Sequence, residues 1–120
     1  MLTLVPGMPD DVIAISAEGR ITGQDYDQVL IPAVDQAFAR HKNVKLYYEV
    51  GETFTGFDMN AAFKDCRVGF SHWWHWKRIA LVTDLHWLKT TAQFFTAFMP
   101  GQTRIFPTAQ REAAKTWIAS

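Results

Sequence analysis

The chain has 120 residues, length for one domain with a self-sufficient core. Twelve basic residues balance twelve acidic ones, so the formal net charge is zero; a nucleic-acid-binding surface normally leaves a basic excess. The single cysteine, Cys66, excludes an intramolecular disulfide and a Cys-rich zinc site, and no segment is apolar for long enough to span a bilayer.

The opening "LTLV" at 2–5, ended by Pro6-Gly7, reads as a short edge strand. The segment "MLTLVPGMPDD" has neither the basic region nor the apolar run of a signal peptide, so a cytoplasmic protein is expected. After the "MPDD" turn, "VIAISAEG" at 12–19 is a β-branched run closed by glycine, a buried strand forming a hairpin with the first. Thr22 is a helix N-cap with Asp25 in the first turn, where an acidic group meets the positive end of the dipole. Tyr26, Leu30, Ala33 and Ala37 recur at helical spacing, as do Val34 and Phe38, to about Arg40. Pro32 removes a ladder hydrogen bond there, so a kink or break is expected.

"VKLYYEV" at 44–50 alternates: Val44, Leu46, Tyr48 and Val50 face one way, Lys45, Tyr47 and Glu49 the other. "GETFTGFD" at 51–58 reads as a loop, with Asp58 capping a helix to about Val68, stopped by Gly69. Next comes "FSHWWHWKR" at 70–78, then the strand "RIALVTD" at 78–84. Asp84 caps a helix over 85–99, "PG" at 100–101 ends it, and "TRIF" at 103–106 is the last strand. The final helix, "PTAQREAAKTWIAS", carries Ala109, Ala113, Trp117, Ala114 and Ile118 on its inner stripe. The order ββαβαβαβα implies an α/β domain spanning 1–120, with a four- to five-stranded mixed, mostly parallel sheet and flanking helices.

The segments "YEVGETFTGFD", "FSHWWHWKRIALVTD", "WL", "FMPGQTRIFP" and a closing A-x-x-W resemble the SpoIIAA-like family of small bacterial proteins. The resemblance runs from about residue 2 to 118. It implies a STAS-related fold with features shared with the Sec14/CRAL-TRIO lipid-binding fold, and it implies no enzyme. STAS domains of the anti-anti-sigma type carry a phosphorylatable serine at the start of the helix after the third strand. Here that region reads "ETFTGFD", without Asp-Ser-Ser; its hydroxyls are Thr53 and Thr55, beside Asp58.

Catalytic chemistry finds little footing. His72 and His75 stand three apart with Cys66, Asp65 and His86 nearby, but His-x-x-His completes no ligand set, and no metal or other cofactor is expected. Cys66 sits on an apolar helical face, and Ser16, Ser71 and Ser120 lack a base, so no catalytic residue is named. "GETFTG" matches no phosphate-binding loop. Glu49, Glu52, Asp58, Asp65 and Asp84 read as capping and solvated carboxylates.

The aromatics are in surplus. On a helix over 85–99, Leu85, Leu88, Ala92, Phe95 and Met99 form one stripe, and Trp87, Phe94 and Phe98 a second beside it. The apolar arc is about 180° wide, against roughly 100° for an ordinary core-facing helix. Cover can come from Trp73, Trp74 and Trp76, from an apolar or lipid-like small molecule, or from a subunit or peripheral membrane interface. The leading expectation is a non-enzymatic binding module. Trp73 and Trp74 would wall a groove against Trp87, Phe94, Phe95, Phe98 and Met99, with Lys77 or Arg78 meeting an anionic headgroup. Helix 85–99 would be a lid hinged at Asp84 and Pro100-Gly101. The rival expectation is a STAS-type regulatory domain with a protein partner, switched by phosphate at Thr53 or Thr55. A homodimer is expected on either reading.

Overall fold

The structure is a computed structural model that describes residues 1–59, 67, 73–96 and 101–120. Strands β1 (Leu2–Leu4), β2 (Val12–Ala17), β4 (Val44–Val50), β6 (Trp76–Thr83) and β7 (Gln102–Phe106) form one sheet in the order β1-β2-β4-β6-β7. The β1–β2 pair is antiparallel, and the other pairs are parallel. The mixed, mostly parallel sheet is therefore the one the sequence implies.

Between β2 and β4 the chain adds a short strand, β3 (Arg20–Ile21), and then turns helical through α1 (Gly23–Asp25), a π-helical turn (Tyr26–Leu30) and α2 (Ile31–Arg40). Thr22 caps this run with a full capping box: its hydroxyl accepts the Asp25 N–H (3.2 Å) and Asp25 accepts the Thr22 N–H (2.9 Å). The break expected at Pro32 takes the form of the π turn just upstream, where the Ile31 N–H bonds the Tyr26 carbonyl five residues back. A proline ring clashes with the carbonyl four residues before it. Widening the preceding turn moves that carbonyl aside and lets the helix continue. Helix α3 (His86–Thr96) follows β6, and α4 (Arg111–Ala119) follows β7 after a 3₁₀ turn at Thr108–Gln110.

Two cores result. On one face Ile13, Ile15, Val44, Tyr48 and Val50 pack under Tyr26, Leu30 and Val34 of the first helical run and under Leu85 and Leu88. On the other, Val12, Ala14, Tyr47, Ala80, Val82 and Phe106 pack under Ala114 and Ile118 of α4. The inner stripe of α4 is therefore Ala114 and Ile118 with half-buried Trp117, whereas Ala109 and Ala113 are exposed.

Burial on both faces also changes the status of β4. Its alternation is as read, but the Lys45–Tyr47–Glu49 side is not solvent: Lys45 is 5% exposed and Tyr47 fully buried. The Lys45 ammonium donates to the Ser120 carbonyl (2.7 Å) and lies 3.8 Å from Asp11. Arg78 Nη1 donates to the Trp117 carbonyl (3.0 Å) and the Ser120 hydroxyl (2.7 Å). Two cations thus sit at the carbonyl end of α4, where the helix dipole is negative.

Candidate functional site at the carboxyl edge of the sheet

The segment after β4 was expected to be a loop. It contains instead a strand, β5 (Gly56–Phe57), parallel to β3 with Arg20 opposite Gly56 and Ile21 opposite Phe57. The pairing extends to both sides. Gly51 N–H donates to the Ala17 carbonyl (3.2 Å), Thr55 N–H to Gly19 (2.9 Å) and Asp58 N–H to Ile21 (2.9 Å). Residues 51–58 therefore run along the backbone that follows β2, as a prolongation of the β2–β4 ladder. Gly56 has a φ of 130°, which a side chain would resist.

This backing fixes Phe54, which is 5% exposed, while its neighbours Thr53 and Thr55 and nearby Glu52 face solvent. Trp87, in the first turn of α3, stacks on Phe54 with centroids 5.9 Å apart and planes 17° from parallel. Trp87 still leaves 51% of its surface exposed, and Met59 leaves 87%. A stacked aromatic pair thus stands at the carboxyl edge, with exposed Thr53 and Thr55 on either side of Phe54 in the chain. In open α/β sheets, this is the edge where ligands and partners are usually met.

Two of the carboxylates read as capping and solvated have definite partners. Glu49 accepts the Tyr47 hydroxyl (2.8 Å) and pairs with Arg111 (3.1 Å). Burial and this bond to Glu49 push the Tyr47 phenol well above its ordinary pKa. Asp84 does not cap its own helix. It accepts the Thr108 N–H (2.9 Å), which holds its carboxyl below the usual range, and the Leu85 N–H goes to the Thr83 hydroxyl (3.1 Å).

With this geometry in place, comparison with known proteins is decisive on one point: residues 12–119 match the profile of the SpoIIAA-like family. The chain belongs to that family. Among solved structures, this SpoIIAA-like chain is similar to an uncharacterized protein of the DUF3478 family with a SpoIIAA-like fold from Shewanella loihica PV-4. The two are 23% identical with a TM-score of 0.81, over 98% of this chain and 93% of that one, a likeness of fold. Among curated proteins none matches.

The SpoIIAA-like fold divides the residues expected to form one groove. Trp74 precedes β6 and Trp87 follows it, and eight residues of strand separate them. At about 3.3 Å per residue they lie at opposite ends, some 25 Å apart along the strand, so they do not face each other. Trp76 belongs to the strand and is buried, its ring edge-on to Phe38 at 5.2 Å. The Arg78 guanidinium is turned to α4, away from any groove beside Trp87, while Lys77 is exposed at the amino end.

The lid reading meets two constraints. Asp84 is tied to Thr108, and Gly101 is wedged against the Trp76 backbone, so the described ends of the α3 segment are pinned. Leu85 and Leu88 are seated on the core. The side chains of Trp73, Phe94 and Phe95 and all of Phe98, Met99, Cys66 and His72 lie outside the described residues, as does most of the helix expected from Asp58 to Val68. His75 and His86 flank the two ends of β6 and do not converge.

Phe54 is the site residue that sequence reasoning missed. Its signal was a single aromatic between two threonines, whose pattern is too short to mark a buried anchor.

Proposed function

We propose that this SpoIIAA-like domain is a STAS-type regulatory module that binds a protein partner through the carboxyl edge, and that it binds rather than turns over what it meets. The observation that carries the reading is Trp87. A large ring half open to water is costly to maintain, and here it is held in a set orientation by buried Phe54 and a hydrogen-bonded backbone. Rigid, partly exposed aromatics are the typical anchors of protein interfaces. Met59, five residues beyond Phe54 in the chain, is also exposed, and Thr53 and Thr55 on either side of Phe54 face solvent.

The same placement supports a switch. Phosphate on Thr55 or Thr53 would put close to two negative charges beside an apolar platform and oppose docking. A lipid-like ligand or a membrane surface is the alternative occupant of the aromatic helix, and it requires the helix ends to be released.

The test is to isolate the partner by crosslinking, reconstitute the pair from pure proteins, and measure Kd for the wild type, Trp87→Ala, Thr55→Glu and Trp74→Ala. Trp87→Ala and Thr55→Glu should each weaken binding about tenfold or more, with Trp74→Ala, at the opposite edge, near wild type. Equal affinity for wild type and Trp87→Ala would overturn the proposal. Self-association abolished by Trp87→Ala would replace the separate partner with a second copy. Co-purified lipid lost on Trp87→Ala would favour the alternative.

A further inference from the structure

The zero net charge of the chain conceals a polarity. Glu18, Asp27, Glu52, Asp58 and Asp84 stand at the carboxyl edge of the sheet against Arg20 and Lys89. Arg111 and Lys115 of α4 leave that balance unchanged, since they pair with Glu49 (3.1 Å) and Glu112 (3.6 Å). At the amino edge the balance reverses: Arg40, Lys42, Lys45, Lys77 and Arg78 stand against Asp10 and Asp11.

Strand register sets the acidic groups beside the stacked pair of Phe54 and Trp87. Ala17, Val50 and Thr83 lie side by side on β2, β4 and β6. The next residues are Glu18, Gly51 and Asp84, so two carboxylate-bearing residues flank a glycine, their backbones about 10 Å apart at the usual strand spacing. Glu18 Cγ lies 3.9 Å from the point that a Cβ on Gly51 would occupy. Glu52 follows Gly51, and the Phe54 N–H turns back to the Gly51 carbonyl (3.2 Å). Trp87, in the turn of helix just beyond Asp84, stacks on Phe54 at 5.9 Å. Glu18 and Glu52 are exposed, and neither carboxylate has a partner among the described residues. Asp84 stays ionised while it accepts the Thr108 N–H. An ordinary interface covers about 800 Å² of each partner, so one centred on Trp87 takes in all three carboxylates.

This charge discriminates between occupants. The headgroups of an anionic lipid surface and the phosphates of a nucleic acid are repelled here. A protein segment that carries arginine is attracted, and arginine is the cation that carboxylates and aromatic rings take up best at interfaces. Exposed carboxylates act over about 8 Å at physiological ionic strength and so favour the approach of a basic partner, whereas Trp87 acts once contact is made. A phosphate on Thr55 has the attractive sign too; it opposes docking through the water it holds beside the stacked pair, an effect of contact.

We infer that the protein partner of the carboxyl edge presents arginine side chains to Glu18, Glu52 and Asp84, next to an apolar group that meets Trp87. This rests on the docking reading above and adds the partner's charge to it. In proton–nitrogen correlation spectra each indole N–H gives its own signal, and Trp87→Phe assigns the relevant one. The full chain is titrated with three short leucine-glycine peptides that carry arginine, glutamine or glutamate at the same positions. The Trp87 signal should shift saturably with the arginine peptide, at a Kd about tenfold or more below those of the other two. Glu18→Gln combined with Glu52→Gln, at exposed positions, should raise that Kd about tenfold, and so should salt at about 0.5 M. The Trp74 signal, at the basic edge, should stay in place. Equal affinity for the arginine and glutamine peptides would overturn the inference and leave an apolar partner to the docking reading. No saturation by the arginine peptide up to about 10 mM, or a Kd unchanged in the double carboxylate variant, would also overturn it. So would a Trp87 signal that moves with phosphatidylglycerol vesicles or with protein concentration alone, which would give the edge to a lipid or to a second copy. Failure of the docking reading looks different: Trp87→Ala, followed by calorimetry, would then hold the arginine peptide as tightly as wild type, and both readings would fall.

Discussion

Gly101 packs directly against the Trp76 carbonyl: a Cβ built at position 101 would overlap that oxygen and stand 3.0 Å from the Lys77 carbonyl. Both obstacles are backbone, held by the bulge at the start of β6, and neither can swing away. Gly101→Ala should therefore destabilise the fold by about 2 kcal/mol or more, in the range of overpacked cores. Gly51→Ala is the control, because its Cβ would meet only ordinary contacts at 3.9 Å. Its effect should stay within about 0.5 kcal/mol. Urea unfolding of the two variants separates these outcomes.

The tryptophans should differ sharply in what they contribute. Trp76→Ala removes a buried ring from the α2 core and should cost about 3–5 kcal/mol. Trp87→Ala loses one stacked face against Phe54 and should cost about 1 kcal/mol. Equal losses in denaturant titrations would mean that Trp87 is a core residue and that the platform is not available for docking.

Asp25 gives the first helix a pH-dependent start. Hydrogen bonds from Thr22, its backbone N–H foremost, lower the Asp25 pKa below the value of an unfolded aspartate. The unfolded chain then takes up the proton first as pH falls, so the contribution is complete above the unfolded pKa and disappears as pH drops through the folded one. Asp25→Ala should cost about 1 kcal/mol at neutral pH. The gap to wild type should shrink steadily below about pH 4 in thermal unfolding.

Tyr47 acts in the opposite direction. Its folded-state pKa is raised, first by burial and then by its bond to Glu49, so the native protein keeps the phenolic proton after the unfolded chain has lost it. Stability should fall as pH rises above about 10. Tyr47→Phe should flatten this alkaline limb, which melting curves between neutral and strongly basic pH would show.

Arg78 fastens the carbonyl end of α4. Arg78→Ala should cost about 1–2 kcal/mol, because it removes charge-assisted bonds to Trp117 and Ser120 and a cation stacked 5.3 Å over the Trp117 ring. Amide hydrogen exchange should quicken in residues 111–119 while β4 and β6 remain protected.

Much of the architecture rests on information local to the chain. Thr22 and Asp25 announce a helix start three residues apart, Pro32 marks the disturbed turn, and the alternation from Val44 to Val50 reveals a strand. Such signals are legible because the interacting groups are neighbours in sequence. Of the aromatics in the expected surplus, Trp74 and Trp87 are exposed and Trp76 is buried, a division that spacing alone does not give.

The candidate site depended on what the fold brings together. Strand β6 carries Trp74 and Trp87 to opposite edges, and the bulge at Lys77 turns Trp76 into the core. Phe54 becomes an anchor only because residues 51–58 find the backbone after β2, more than thirty positions away. Sequence by itself determined the five strands of the main sheet, their mostly parallel order and the described helices, since period and capping are properties of short windows, whereas the short β3–β5 pair went unread. Tertiary structure alone decided which rings are buried, which cations grip α4, and that Trp74 and Trp87 stand at opposite edges rather than in one groove. Burial and pairing across distant segments leave no mark in the spacing of neighbouring residues.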